Sequence, residues 1–220
     1  MWREHPVFAD RRDAGRRLAK ALAHRELADP LVLALPCGGV PVGYEIARAL
    51  DADLDVLLVR KIGAPRDPEF GLGALVDGDP PELVLNSELV RAVSPKAGYI
   101  EQERDRQLAE IVRRRRLYGA GRALMRDRNV ILVDDGIATG GTVRAAIAGL
   151  NRRQPASVVL AVPVASQDSL QQLERACDDV VCLSTPELFR AVGEHYDDFT
   201  QTTDEEVVSL LAGMRDFRRR

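Results

Sequence analysis

Short continuous apolar runs alternate with helical patterns along almost the whole sequence, and that rhythm admits few folds. Residues 31–35, 54–59, 130–133, 157–162 and 179–183 are of strand length and too apolar to face water on either side. Between them, residues 11–24, 41–50, 142–150 and 166–176 place apolar side chains at three- and four-residue spacing. Asp10 is placed to cap the first helix, and Asp204 to cap a last one over 204–211. Strand–helix–strand repetition predicts an α/β fold, a parallel sheet with helices on both faces. Such sheets bind ligands beyond the carboxyl ends of their strands, so the loops after Leu35, Arg60, Val133 and Val162 are where chemistry is expected.

Two stretches depart from the rhythm. Residues 72–76 and 82–85, separated by Asp77-Gly78-Asp79-Pro80-Pro81, read as a hairpin. Residues 94–117 read as one long helix. A single domain over residues 1–220 is expected, with a lid loop at about 63–81 and a helical insertion at about 94–121. The lid reading rests on prolines, charges and an aromatic between Gly63 and Gly71, a composition suited to a mobile cover.

Composition excludes several classes. With 45% apolar and 30% charged residues, 220 residues can build a core without staples. A net charge of -3 gives no general attraction for nucleic acid. Residues 113–116 are four arginines, but consecutive residues point in different directions around a helix, and Glu101, Glu103, Asp105 and Glu110 can pair with them. Nucleic acid is therefore not an expected partner. No apolar stretch approaches the ~20 residues of a membrane span, and the first residues hold no apolar signal segment. Cys37, Cys177 and Cys182 form no CxxC pair, which argues against a disulfide framework or zinc site. A reduced, cytoplasmic protein is expected.

The most informative segment is Val130-Ile131-Leu132-Val133-Asp134-Asp135-Gly136-Ile137-Ala138-Thr139-Gly140-Gly141-Thr142. A buried strand ends in two carboxylates, and a Gly/Thr turn then opens a helix. Main-chain N–H groups from Ala138 to Thr142 can converge on an anion where the helix dipole favours negative charge. Gly140 and Gly141 allow close approach, and the Thr139 and Thr142 hydroxyls add donors. Asp134 and Asp135 suit a pair of sugar hydroxyls or a hydrated Mg²⁺. A phosphate cradle beside a diol-binding acid pair describes a ribose 5-phosphate site.

This segment resembles the phosphoribosyl pyrophosphate (PRPP) motif of the type I phosphoribosyltransferases. Further similarity, at residues 8–11, 13–15, 68–71 and 189–198, is to a bacterial subfamily of that family and covers nearly the whole chain. The resemblance implies the family's fold with a small hood or lid region, and transfer of the phosphoribosyl group from PRPP to a nitrogen acceptor. Mg²⁺ would be the cofactor, carried by the substrate, with Asp134 and Asp135 as candidate protein ligands. Pyrophosphate would be held by Cys37, Gly38, Gly39, Arg60 and Lys61. The 5-phosphate would lie on Ala138, Thr139, Gly140, Gly141 and Thr142, and the ribose hydroxyls on Asp134 and Asp135. Glu69 would be a general acid or base, and Ile137 and Val164 would line the base pocket. Cys37 stands where relatives carry Arg or another polar residue, so its contribution would come from the backbone. Ala138 stands where hypoxanthine–guanine enzymes carry an acid, so an adenine-like base is favoured. Dimers are common in the family, so a homodimer is a further expectation. The rival reading is a PRPP- or nucleotide-sensing regulator on the same fold, without turnover.

Overall fold

A computed structural model describes residues 7–119 and 123–219, with the side chain of Glu69 outside the described set. Its centre is a five-stranded parallel sheet in the order β2-β1-β6-β7-β8, made by Asp53–Val56, Pro30–Ala34, Asn129–Val133, Ser157–Val164 and Asp179–Ser184 respectively. Four of these strands coincide closely with an apolar run; β2 takes only the first part of the run at 54–59. Period-two alternation sends successive side chains to opposite faces. Val32, Ile131, Val133, Val159 and Ala161 pack against α1 (Arg11–Leu22) and α2 (Gly39–Leu50). Leu31, Leu33, Val130, Leu132, Val158 and Leu160 pack against α5 (Gly141–Asn151) and Leu173 of α6 (Gln167–Leu173). Burial on both faces explains why the runs carry no polar alternation.

Asp10 caps α1 as expected, its side chain accepting from the Asp13 N–H. At α7 (Asp204–Arg218) the cap is Thr203, not Asp204; the Thr203 hydroxyl accepts from Glu206 N–H at 3.2 Å. Asp204 lies one position inside the helix and accepts instead from the Tyr118 hydroxyl.

The second layer differs from the sequence reading in two places. The apolar run 54–59 is not one strand. It breaks after Val56, and the chain continues as β3 (Val59–Ala64) in a separate antiparallel sheet, β3-β4-β5. β4 is Asp67–Val76 and β5 is Glu82–Leu85. The span 63–81, expected as a loop, is therefore largely paired strand. The β3–β4 hairpin closes over an irregular register at Ile62, Gly63 and Ala64. Gly63 is required there, because a Cβ would collide with the Pro68 carbonyl. The β4–β5 hairpin is as expected, with Val76 opposite Glu82.

The helical segment also divides. α3 (Ser87–Val93) is capped by Asn86 and ends at Ser94 in a left-handed conformation, and α4 runs from Tyr99 to Tyr118. Only Gln107, Ile111 and Tyr118 of α4 are buried; Ile111 and Tyr118 join Val207, Leu210 and Leu211 of α7 beneath the small sheet. The arginines of 113–116 diverge. Arg113 and Arg114 bond Glu110, while Arg115 turns the other way to Asp77 and the Gly78 carbonyl. No helix among the described residues is long and apolar enough to cross a membrane.

Candidate functional site

β1 and β6 are neighbours in register, Ala34 beside Val133, yet β1 is followed by a crossover to β2 on its other side. Their carboxyl ends therefore form the point at which the winding of the sheet reverses, where a crevice opens. The Pro36–Gly39 and Asp134–Thr142 loops leave from this point. Leu35 N–H donates to the Val133 carbonyl at 2.8 Å, tying the loops together at their base. The glycines hold them in contact. A Cβ on Gly39 would stand 2.7 Å from the Val133 carbonyl oxygen, and one on Gly38 would overlap the Asp135 carboxylate. Gly38 has ordinary helical dihedrals, φ -61 and ψ -34, so glycine is needed there for space and not for conformation.

Asp134 and Asp135 lie deep at the mouth of this crevice. Burial raises both carboxyl pKa values above the ordinary aspartate range, and the charge of Asp135 raises Asp134 further. Opposing this, Arg11 of α1 donates from Nε to Asp135 Oδ2 at 2.7 Å. The Tyr196 hydroxyl donates to the Asp135 main-chain carbonyl at 2.6 Å. Burial raises the Tyr196 pKa as well, so its hydroxyl keeps its proton. The sequence reading missed Arg11 and Tyr196. Both stand in segments it singled out for similarity, but nothing local in either segment points to the acid pair.

The turn after the acids has the amides an anion site needs. Among the described residues, none accepts a hydrogen bond from the N–H of Ala138, Thr139, Gly140, Gly141 or Thr142. Ser166 and Ser169 hydroxyls both donate to the Ala138 carbonyl, at 2.8 and 2.7 Å. In a planar trans peptide the Thr139 N–H then points the opposite way, away from α6. The two glycines divide their work. Gly140 sits at φ +69, and a Cβ there would face Leu173, Ile137 and Ser169 at ordinary contact distances. Gly141 faces open space. Gly140→Ala is expected to destabilise the fold by about 1–2 kcal/mol through its left-handed backbone. Gly141→Ala is expected to leave urea unfolding unchanged while weakening inorganic phosphate binding, measured by calorimetry.

The remaining expected residues are scattered. The Cys37 Sγ points behind the loop, 3.7 Å from Tyr118 Oη and from Asp204 Oδ1 and 3.9 Å from Arg114 Nη1. Its side chain is thus a packing element, and only its backbone belongs to the loop. The Pro36–Cys37 peptide is cis. Arg60 is drawn into α4, its Nε donating to Gln107 Oε1 at 2.9 Å. Lys61, next along β3, is exposed opposite Ala74. Glu69 belongs to β4, but its side chain lies outside the described residues. Ile137 and Val164, expected to line a pocket, are instead buried, Ile137 against the sheet core and Val164 with Phe8, Ala14 and Tyr196. A main-chain bond from Ile137 N–H to the Val164 carbonyl, 2.9 Å, knits the turn to the end of β7 and turns both side chains into the core.

The donor set at the acid pair fits a metal that arrives with its ligand. Asp135 is already paired with Arg11, and the described residues contain no group of three His, Cys, Asp or Glu side chains able to hold an ion. Mg²⁺ keeps several waters and takes one or two carboxylates plus substrate phosphates, which is what this site could offer.

The model of the phosphoribosyl transferase domain matches residues 11–198. The chain is 44% identical over 214 residues to "Putative phosphoribosyl transferase Rv0571c" of Mycobacterium tuberculosis, covering 96% of this chain and 48% of that protein. It thus spans about half the length of the curated relatives it matches. The crystal structure of TT1426 from Thermus thermophilus is similar at 45% identity, with a TM-score of 0.81, over 94% of this chain and 98% of that one. The AQ2163 protein of Aquifex aeolicus, 12% identical with a TM-score of 0.51, covers 83% of this chain and 78% of its own and shares the fold. The chain belongs to the phosphoribosyltransferase family.

Proposed function

We propose that this protein transfers the 5-phosphoribosyl group of PRPP to a nitrogen atom of a nucleobase, releasing pyrophosphate. The observation that carries the reading is the junction of the two loops. Unbonded amides at 138–142, an acid pair and a glycine loop meet at one strand-end crevice among the described residues. Amides of Ala138 to Thr142 and the Thr139 and Thr142 hydroxyls hold the 5-phosphate. Asp134 and Asp135 accept hydrogen bonds from the ribose 2- and 3-hydroxyls. The backbone N–H groups of Cys37 and Gly38, together with Lys61, hold the pyrophosphate; the Gly39 N–H is already donated to the Leu35 carbonyl at 3.0 Å, so Gly39 contributes only the space left by its missing Cβ. Arg60 is a weaker candidate for that contact, since Gln107 engages it.

In the reaction the acceptor nitrogen forms a bond to ribose carbon 1. The bond from carbon 1 to the pyrophosphate oxygen breaks, and its electron pair leaves with pyrophosphate. Positive charge grows on the sugar as the bond loosens, and the two carboxylates beside it are placed to stabilise that charge. Asp134 and Asp135 are the residues that would help hold a Mg²⁺ arriving with PRPP, and such an ion would supply positive charge to the leaving group. The acceptor's N–H proton passes to a base, for which Glu69 on the β3–β4 hairpin is the candidate. Val192 packs directly against the start of the turn, where a Cβ on Gly136 would collide with it. Ala138, where hypoxanthine–guanine enzymes carry an acid, favours an adenine-like acceptor.

The test is pyrophosphate release from protein, Mg²⁺ and PRPP with a panel of bases. Turnover is expected with adenine or a related base and not with hypoxanthine. PRPP binding without turnover on any base would favour the sensing role, and no PRPP binding would refute the assignment.

A further inference from the structure

Arg11 lies far in sequence from the strand-end motifs, yet it is the cation paired with Asp135. Its guanidinium is held on three sides. Nε donates to Asp135 Oδ2 and Nη1 to the Thr200 carbonyl, both at 2.7 Å, and its central carbon sits 3.9 Å from the centre of the Phe199 ring. About a tenth of its side chain reaches solvent. The clamp is itself braced. Phe199 packs on Tyr196 with ring centres 5.1 Å apart, and a Cβ on Gly193 would come within 2.8 Å of Phe199. Asp198 Oδ1 fixes Thr200 through both its N–H and its hydroxyl, at 2.9 and 2.6 Å. The Asp197 and Asp198 N–H groups bond the carbonyls of Phe8 and Ala9, which stitches this segment to the start of α1.

Asp135 is thus gripped twice, at its carboxylate by Arg11 and at its carbonyl by Tyr196. Withdrawing a guanidinium and a carboxylate from water is offset only by close, well-directed contacts. An apolar pair would fill the same space without that demand, so the placement of the ion pair at the ligand end of the sheet points to a role in the site. Gly38 contributes by leaving room for the paired carboxylate.

We propose that Arg11 is a positioning residue for phosphoribosyl transfer: it fixes the Asp135 carboxylate in the orientation that accepts the ribose hydroxyls, with Phe199 and Thr200 holding Arg11 in place. The proposal rests on the reading of the acid pair as the diol site. It extends the functional machinery from the two strand-end loops to a helix and a closing segment that lie outside them.

Calorimetric titration with PRPP and Mg²⁺, joined to steady-state kinetics on the full chain, tests it. Arg11→Gln is expected to raise the Kd and KM for PRPP about 10- to 100-fold, the range for losing a hydrogen bond to a charged group. The kcat should change less, because the hydroxyl contacts exist in ground and transition states alike. Arg11→Lys should recover part of the affinity. Phe199→Leu should weaken PRPP binding in the parent but add nothing in the Arg11→Gln background, since it acts through Arg11. Unchanged affinity in Arg11→Gln, or additive effects of the two substitutions, overturns the proposal. A matched loss of melting temperature and active fraction with unaltered KM also overturns it, in favour of a purely structural pair. Absence of PRPP binding by the parent protein would overturn the underlying site reading as well, and so is distinguishable from failure of the Arg11 role.

Discussion

Asp134→Asn is expected to lower kcat/KM for PRPP by about two orders of magnitude, the loss of charged hydrogen bonds to the sugar, while the melting temperature holds or rises. The opposite signs follow from the electrostatics. Burial raises the Asp134 pKa above its unfolded value, and the neighbouring Asp135 adds to the shift. A carboxyl with a raised folded pKa favours the folded state at low pH, where it is protonated. That contribution is lost as pH rises from the unfolded value through the folded one. Above its unfolded pKa, Asp134 therefore weakens the fold, and a neutral amide of the same shape relieves that penalty. Thermal unfolding across pH, with parent and variant compared, measures this directly. The variant's advantage should shrink as the pH is lowered below the raised pKa, and equal losses of stability and activity would count against the proposed site. Asp135→Asn should show the same loss of activity without the gain in stability, because it leaves the Arg11 guanidinium without its carboxylate.

The second large effect separates two adjacent glycines. Gly39→Ala drives a Cβ to 2.7 Å from the Val133 carbonyl, which is backbone and cannot swing aside. Overpacking of this kind destabilises by about 1–3 kcal/mol, or roughly 2–12 °C in melting temperature for a chain of this length. Gly38→Ala meets a side chain instead, the Asp135 carboxylate, which can rotate out of the way. The fold should then survive with little loss, while Asp135 parts from Arg11 and PRPP affinity falls about tenfold or more. Unfolding midpoints and PRPP titrations on the two variants give crossed outcomes if the loops meet as described. Similar behaviour of both variants would show that the contact is not what positions the acid.

The fold was legible in the sequence wherever burial is two-sided. The runs at 31–35, 130–133, 157–162 and 179–183 carry no polar interruption because both faces are covered by helices. The thirteen-residue motif was legible for a different reason: strand, acids, turn and helix follow one another locally, so their order alone fixes their geometry. Where partners are distant, the sequence was silent. The break after Val56 lies inside the run at 54–59, where Asp55 is the only polar residue, and a single polar residue does not mark where the chain leaves one sheet for another. The 63–81 segment is rich in Pro, Gly and charge, which suggests a loop, but cross-strand pairing with β3 overrides that preference. Ile137 and Val164 are apolar residues beside the crevice. Apolarity cannot distinguish a pocket wall from core, and the bond joining their backbones turns them inward. Ser166, Ser169, Arg11 and Tyr196 act on the turn and the acid pair from 28 or more positions away in the chain.

The two residues gripping Asp135 come from opposite sides of it in the chain, Arg11 124 positions before and Tyr196 61 positions after. During synthesis the acid pair and its turn leave the ribosome well before Tyr196, Phe199 and Thr200 exist. A nascent chain can assemble β1, β6 and the helices between them with Arg11 already made, but the Asp135 carbonyl lacks Tyr196, and Arg11 lacks its brace from Phe199 and Thr200, until the segment near residue 200 emerges. Translation thus completes the proposed sugar-binding cleft only after all five strands of the sheet that carries it have been made.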